Sequence, residues 1–203
     1  MTRRTTLGAV FALVLLALVG AWLTVALVTS RTPEQSSASP ARIGGPFTLI
    51  DTSGKTVTDQ AYRGKWMLVY FGYTSCPDEC PTALNNIGVA LTKLGSEANA
   101  IQPLFITVDP KRDTPQVMAN YLKSFDPRIV GLTGSQAQTD NAAKAYRVYV
   151  APRKSDSGDD LVDHSAFFYF VNPQGKFVNV IAGDMPGDQM ADKLRTMMAH
   201  PNL

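Results

Sequence analysis

The only cysteines of the chain, Cys76 and Cys80, are separated by three residues. A thiolate attacks disulfides and binds soft metal ions, so a close pair can carry out redox chemistry or hold a metal. A structural disulfide is the third use, although a bond that closes so short a loop stabilises a fold little. Redox-active pairs usually have two intervening residues rather than three. The spacing alone leaves all three uses open.

Histidine offers a further ligand, and the chain contains two. His200 lies near the end of the sequence, where we expect an exposed tail residue. His164 directly precedes the apolar segment 166–171, which is typical of a buried strand. That strand should share a sheet with the strand before Cys76, and His164 would then approach the cysteines. A hydrogen-bonded histidine at a strand edge is the alternative interpretation.

Two thiolates and one imidazole form a ligand set with a definite metal preference. The set suits copper in a trigonal site whose fourth position stays open to water or a weak ligand. Catalytic zinc can use the same set, but no acid–base pair around the cysteine loop indicates a zinc hydrolase. Asp163 or a backbone carbonyl could orient the imidazole of His164. The residues therefore favour copper without excluding a redox dithiol.

The elements around the cysteines place them where ligands usually bind in α/β sheets. Residues 66–71 (WMLVYF) are continuously apolar, as in a strand buried on both faces. We predict a loop over 72–79 and then a helix with Pro81 at its first position, where the missing N–H is not needed. The start of this helix favours the thiolate, whereas the carboxylates of Asp78 and Glu79 oppose it.

The rest of the chain alternates between strand and helix patterns. We predict strands over 47–50, 104–108, 129–132, 166–171 and 176–181, and helices after Thr114, over 136–146 and over 189–198. Thr114 would cap the helix that follows it, with Pro115 at the first helical position. This alternation, which ends in a hairpin and a helix, predicts an α/β domain. Its central mixed sheet should be covered by helices on both faces.

The amino-terminal segment has a different character. Leu7–Thr29 carries no charge over 23 residues, and about 20 apolar residues span a bilayer core. Two arginines precede it, which predicts a cytoplasmic N-terminus and a periplasmic remainder at a bacterial inner membrane. A cleaved signal peptide is the alternative, but its apolar region would be shorter, about 7–15 residues. We predict a transmembrane anchor over 1–30, a flexible linker over 31–45 and a folded domain over 46–203.

The charge pattern excludes one class of partner. The chain has 19 basic and 17 acidic residues, and Arg3 and Arg4 belong to the predicted anchor. The remainder is neutral, so it lacks the basic field with which proteins hold nucleic acids. We expect a monomer, since no exposed apolar surface can be recognised from the sequence.

Three separated motifs resemble the SCO/SenC family. They are FGYTSCPDECPT at 71–82, VDPKRDTP at 108–115 and DHS at 163–165. The similarity extends over about residues 44–198. Members of this family are thioredoxin-fold copper chaperones of respiratory oxidase assembly. The resemblance therefore implies a thioredoxin-like fold, and the predicted anchor fits it.

The resemblance also implies a function for the cysteines and the histidine. Cys76, Cys80 and His164 would be the copper ligands, for both Cu(I) and Cu(II). The recipient would be the dinuclear copper centre in subunit II of cytochrome c oxidase, which would receive copper, reducing equivalents or both. A thiol–disulfide oxidoreductase that reduces the cysteines of such a partner is the alternative function.

Three acidic residues match motif positions of the family and are candidates to support the copper ligands without binding the metal. These are Asp109, Asp113 and Asp163. Structural interpretations compete for two of them. Asp109 would form a turn before Pro110, and Asp113 would cap the helix that follows Thr114.

Overall fold

A computed structural model of the protein describes residues 20–22, 43–154 and 160–200. The chain divides into two compact units, Met1–Ala41 and Arg42–Leu203. The predicted anchor and linker lie outside the described residues, apart from a short helical piece at 20–22 and the last residues of the linker. Within the described ranges, no helix is long and apolar enough to cross a membrane.

A mixed sheet forms the centre of the second unit. The described strands are β1 (Thr48–Asp51), β2 (Thr56–Thr58), β3 (Trp66–Gly72), β4 (Ile101–Thr107), β5 (Val130–Thr133), β6 (Val150–Lys154), β7 (Asp160–His164), β8 (Phe167–Val171) and β9 (Phe177–Ala182). Seven of them join in the order β2-β1-β5-β4-β3-β8-β9. Strand β3 pairs in parallel with β4 and antiparallel with β8. The predicted central mixed sheet is confirmed.

Helices cover both faces of this sheet. They are α1 (Glu79–Leu94), α2 (Pro115–Leu122), α3 (Gln136–Tyr146) and α4 (Gly187–Ala199). Alternate residues of β3 point to opposite faces. The ring of Phe71 packs 5.5 Å from that of Tyr146 in α3. On the other face, Tyr70 lies 6.4 Å from Phe105, which in turn contacts Tyr121 of α2. Helix α1 packs against α4.

The predicted strand before the cysteines is confirmed, but the helix after them begins earlier than expected. Every residue of β3 after Trp66 is buried, as a strand covered on both faces requires. Helix α1 begins at Glu79, so Pro81 is its third residue rather than its first. The first N–H groups of a helix have no partner within it, so proline is tolerated there too. The other predicted elements differ from the observed bounds by at most three residues.

Strands β6 and β7 form a separate two-stranded sheet that the sequence did not predict. Val150 at the start of β6 pairs with His164 at the end of β7. His164 therefore ends a strand of its own, and two residues separate it from β8. His164 precedes the apolar strand closely, as predicted, but it is the last residue of β7 and does not lie on a loop.

Candidate metal centre

The two thiols face inward from the turn between β3 and α1. The Cys76 N–H donates to the carbonyl oxygen of Tyr73 at 3.3 Å. The Cys80 N–H, in the first turn of α1, lies 3.4 Å from the Cys76 sulfur. Both side chains are buried, Cys80 completely, and both are free thiols. The helix start thus points a backbone donor at one thiol, which favours its thiolate.

The hairpin of β6 and β7 brings His164 to the cysteines. Its Nε2 lies 3.6 Å from the Cys80 sulfur, and its Nδ1 lies 3.4 Å from the carbonyl oxygen of Ser165. The imidazole stands edge to face with Tyr70 and Tyr73, at centroid distances of 6.0 and 5.9 Å. A ring held this way by a carbonyl at Nδ1 directs Nε2 toward the sulfurs.

The three side chains can close on one metal ion. The sulfurs of Cys76 and Cys80 and a ring nitrogen of His164 all lie within 4.8 Å of one another. Metal–sulfur and metal–nitrogen bonds of about 2.0–2.3 Å allow two donors on one ion to be at most about 4.6 Å apart. The three ligand atoms therefore need to move only slightly closer together to bind one metal ion. Two sulfurs and one nitrogen suit a soft or borderline ion.

A cavity of about 410 Å³ gives access to this centre from one side. It is lined by Cys76 and His164 together with charged and aromatic side chains, among them Asp78, Glu79 and Tyr149. Tyr149 is 65% exposed. A ligand from another molecule can therefore reach the metal centre without opening the core.

The two thiols differ sharply in acidity. A hydrogen bond with the Cys80 side chain, helped by one with His164 and opposed by burial, lowers the pKa of Cys76 to about 4. The same bond, together with burial and the charge on Cys76, raises the pKa of Cys80. The negative charge of Glu79 adds to that rise, as predicted, whereas the backbone of Asp78 lowers the pKa of Cys76. The metal-free pair therefore loses one proton readily and holds the other between the sulfurs.

Asp113 supports the cysteine loop from inside the protein. Its carboxylate is completely buried and accepts hydrogen bonds from the Thr74 N–H at 3.0 Å, the Thr74 hydroxyl at 2.5 Å and the Thr107 hydroxyl at 2.6 Å. Its predicted role as a helix cap was wrong, because Thr114 caps α2 through the Val117 N–H. The carboxylate turns inward, where three donors would otherwise lack an acceptor.

The other two acidic candidates make contacts away from the ligand atoms. The carbonyl oxygen of Asp109 accepts from the N–H groups of Arg112 and Asp113, and its carboxylate pairs with Arg112. This is the predicted turn. The carboxylate of Asp163 accepts a hydrogen bond from Arg153 at 2.6 Å and is about half exposed. The Nδ1 of His164 lies near the carbonyl oxygen of Ser165, and it is this carbonyl that orients the imidazole.

Gly72 contributes to the site by leaving space for the Cys80 sulfur, and the sequence did not predict this role. A Cβ at this residue would lie 2.8 Å from the Cys80 sulfur and 2.7 Å from Cε2 of Phe105. Real Cβ atoms do not approach other atoms so closely, so glycine leaves the space that the sulfur fills. Two signals were available: Gly72 follows a continuous apolar run, and it belongs to the motif at 71–82.

Comparison with known proteins identifies relatives over most of the chain. The sequence profile of the SCO1/SenC family matches residues 35–199. Protein sco1 of Schizosaccharomyces pombe is 44% identical over 154 residues, which cover 74% of this chain and 59% of that protein. The human mitochondrial SCO1 homolog is 40% identical over 159 residues, 77% of this chain and 53% of the relative. This chain thus spans little more than half the length of these relatives.

Solved structures show the same fold. Bradyrhizobium japonicum ScoI with copper bound is 43% identical and superposes with a TM-score of 0.70, covering 76% of this chain and 98% of that one. Yeast Sco1 with copper bound is 41% identical, with a TM-score of 0.71 and coverage of 78% and 90%. The expected thioredoxin-like arrangement of sheet and helices is therefore confirmed by its match to these structures.

Proposed function

Because the chain belongs to the SCO1/SenC family, we propose that it is a membrane-anchored periplasmic copper chaperone. It would help to assemble the dinuclear copper centre in subunit II of cytochrome c oxidase. The observation that carries the proposal is the convergence of Cys76, Cys80 and His164, whose ligand atoms lie within 4.8 Å of one another. Copper in the solved relatives supports the choice of ion, as does the softness of two thiolates.

Binding would draw on the unequal acidity of the two thiols. Cys76, with its pKa lowered to about 4, is a thiolate at neutral pH. It can therefore make the first bond to copper without losing a proton. The shared proton leaves as the Cys80 sulfur becomes a ligand, since only deprotonated sulfur binds the metal. The Nε2 of His164 completes the set as a neutral donor, for Cu(I) or for Cu(II).

Transfer would proceed by exchange of ligands. Three protein ligands leave a position on copper for a sulfur or imidazole from the partner. The cavity beside Cys76 and His164 gives such a group access. Copper would then pass directly from one ligand set to the other, without release of the free ion.

We place the site outside the cytoplasm on the basis of the amino-terminal sequence. The uncharged segment Leu7–Thr29 follows two arginines, and this order favours a single-pass helix with its N-terminus inside. The linker over 31–45 would then carry the domain in the periplasm of a bacterium. Thiols in that compartment tend to oxidise, so the metal-free protein needs a reductant before it can bind copper.

The unequal thiols also favour the alternative function, a thiol–disulfide oxidoreductase acting on the copper-site cysteines of the partner. The Cys76 thiolate would attack the partner's disulfide, forming a mixed disulfide and releasing one partner thiolate. Cys80 would then give up its proton and attack Cys76. That step frees the second partner thiol, and the Cys76–Cys80 disulfide holds the oxidising equivalents. Copper and this disulfide exclude each other, because the same sulfurs serve both.

Copper titration of the reduced full chain tests the proposal. We expect one copper ion per chain, and loss of binding in His164→Ala, Cys76→Ser and Cys80→Ser. His200→Ala is the matched control, since His200 is exposed at the end of α4 and should leave binding unchanged. Full-affinity binding by His164→Ala would contradict the ligand set. If that variant also reduced a partner disulfide as fast as the wild type, while both cysteine variants failed, the alternative function would stand.

A further inference from the structure

The hydroxyl groups of two tyrosines are buried without a hydrogen-bond partner among the described residues. They belong to Tyr70 in β3 and Tyr121 in α2. An unpaired buried hydroxyl destabilises a fold by about 1–3 kcal/mol relative to a paired one. Such a group therefore calls for an explanation, and phenylalanine would fill the same space without the penalty.

The side chain of Tyr70 lies beside the Cys80 sulfur. A Cβ placed on Gly72 would touch both, at 2.8 Å from the sulfur and 3.2 Å from Cε1 of Tyr70. The absence of a side chain at Gly72 is thus what lets the ring edge and the sulfur approach. The ring of Tyr70 also stands at 87° to the imidazole of His164. Tyr70 is in this way adjacent to two of the three proposed ligands.

The tyrosine hydroxyl carries one proton that it can donate to an acceptor. A tyrosine hydroxyl has a pKa of about 10 in water and keeps its proton at neutral pH. Burial, which disfavours the charged form, keeps it protonated here as well. A protonated Cys80 accepts a hydrogen bond poorly, whereas a thiolate accepts one well. The missing partner of Tyr70 would accordingly appear when the Cys80 sulfur binds a metal ion as a thiolate.

We propose that the Tyr70 hydroxyl donates a hydrogen bond to the metal-bound Cys80 sulfur and thereby favours Cu(I) over Cu(II). This inference rests on the proposed copper binding. A hydrogen bond withdraws electron density from the thiolate, and Cu(II) depends more on that density than Cu(I) does. Hydrogen bonding around a cysteine sulfur is a known determinant of copper redox potential. Tyr70 would thus tune the ion through its ligand, without binding the ion itself.

The variant Tyr70→Phe tests this role, because it removes the hydroxyl and keeps the ring. Copper-loaded full chain would be titrated with a one-electron reductant and followed through the sulfur-to-Cu(II) charge-transfer band. We expect the ratio of Cu(II) to Cu(I) affinity to rise about tenfold, the effect of one charge-assisted hydrogen bond. For a one-electron couple, tenfold corresponds to a potential lower by about 59 mV. The band should also move to longer wavelength.

Tyr121→Phe is the matched control, since it deletes the other unpaired buried hydroxyl. It should leave both the potential and the band unchanged. A second measurement needs no variant: in the Cu(I) protein, NMR should detect a slowly exchanging Tyr70 hydroxyl proton that is absent from the reduced metal-free protein. Equal potentials for wild type and Tyr70→Phe, or no such proton, would overturn the inference alone. Failure of all three proteins to bind copper would overturn the proposed function as well.

Discussion

At the residue scale, Asp113 shows how one buried carboxyl group ties the metal centre to the fold. Its three hydrogen bonds hold Thr74 and Thr107, and Thr74 precedes Cys76 by two residues. Loss of this acceptor leaves the Thr74 N–H unpaired inside the protein, and the cysteine loop loses its fixed attachment to β4. Asp113 thus positions the loop without contacting the metal ligands.

We expect Asp113→Ala to lower the free energy of unfolding by about 2–4 kcal/mol, because buried donors lose their acceptor. Copper affinity should fall as well, since the Cys76 backbone is less well ordered. Urea denaturation and copper titration measure the two effects. Asp163→Ala is the control, because its carboxylate is half exposed and its ion pair with Arg153 contributes at most about 1 kcal/mol. If both variants lost the same unfolding free energy and the same copper affinity, the positioning role of Asp113 would be contradicted.

The candidate ligands could be predicted from residue types and order, but their support could not. Two cysteines and a histidine are rare residues in this chain, and the structure brings all three together. The inward turn of Asp113 and the space left at Gly72 depend on which atoms of other elements lie nearby. Those contacts join residues that are far apart in the chain, so they cannot be predicted from the neighbouring sequence. Thr114 caps α2 as predicted, whereas the competing cap role of Asp113 was wrong because its carboxylate is bound by donors of two other segments.

At the element scale, the contact between α1 and α4 depends on a close approach of their backbones. A Cβ on Gly187, the first residue of α4, would lie 2.5 Å from the carbonyl oxygen of Asn86 and 2.5 Å from Cβ of Val89. Both atoms belong to the rigid part of α1. By contrast, a Cβ on Gly88, inside α1, would meet only Asp126, at an ordinary 3.6 Å.

These two glycines predict opposite effects of the same substitution. Gly187→Ala should destabilise the protein by about 1–3 kcal/mol, because the two helices must move apart. Gly88→Ala should stabilise it by about 0.5–1 kcal/mol, since alanine favours a helix interior. Denaturant unfolding of both variants and the wild type measures whether each substitution raises or lowers the free energy of unfolding. Stabilisation by Gly187→Ala would show that the helices do not pack this closely.

The elements that could be predicted are those that bury apolar side chains. Strand β3 appears in the sequence as a continuous apolar run, and helix α3 was predicted with the bounds that the structure shows. Strands β6 and β7 were not predicted, because Pro152 and several charged residues interrupt any apolar alternation. Since none of the described residues of this hairpin is fully buried, it needs no such alternation. The element that delivers His164 is thus the one with the weakest sequence signal.

At the scale of the whole molecule, the proposed function requires that the domain stay attached to a membrane. We expect the full chain to remain in the membrane fraction after alkaline carbonate extraction, because the 23-residue uncharged segment is long enough to span the bilayer core. A chain lacking residues 1–30 should be recovered in the soluble fraction, which provides the control. Intact-mass measurement should find no cleavage near residue 30. A mature protein beginning there would establish a signal peptide instead.

The two-stranded sheet that ends at His164 has a consequence for the rate at which copper is exchanged. Both sulfurs are fixed by elements of the seven-stranded core, whereas the imidazole is carried by a ribbon in which each strand has a single neighbour. Opening that ribbon disrupts fewer backbone contacts than displacing β3 or α1. In the proposed copper complex, the nitrogen would therefore be the first ligand to dissociate and the sulfurs the last. Substitutions that loosen the hairpin would then shorten the lifetime of the complex while leaving the positions of the two sulfurs unchanged.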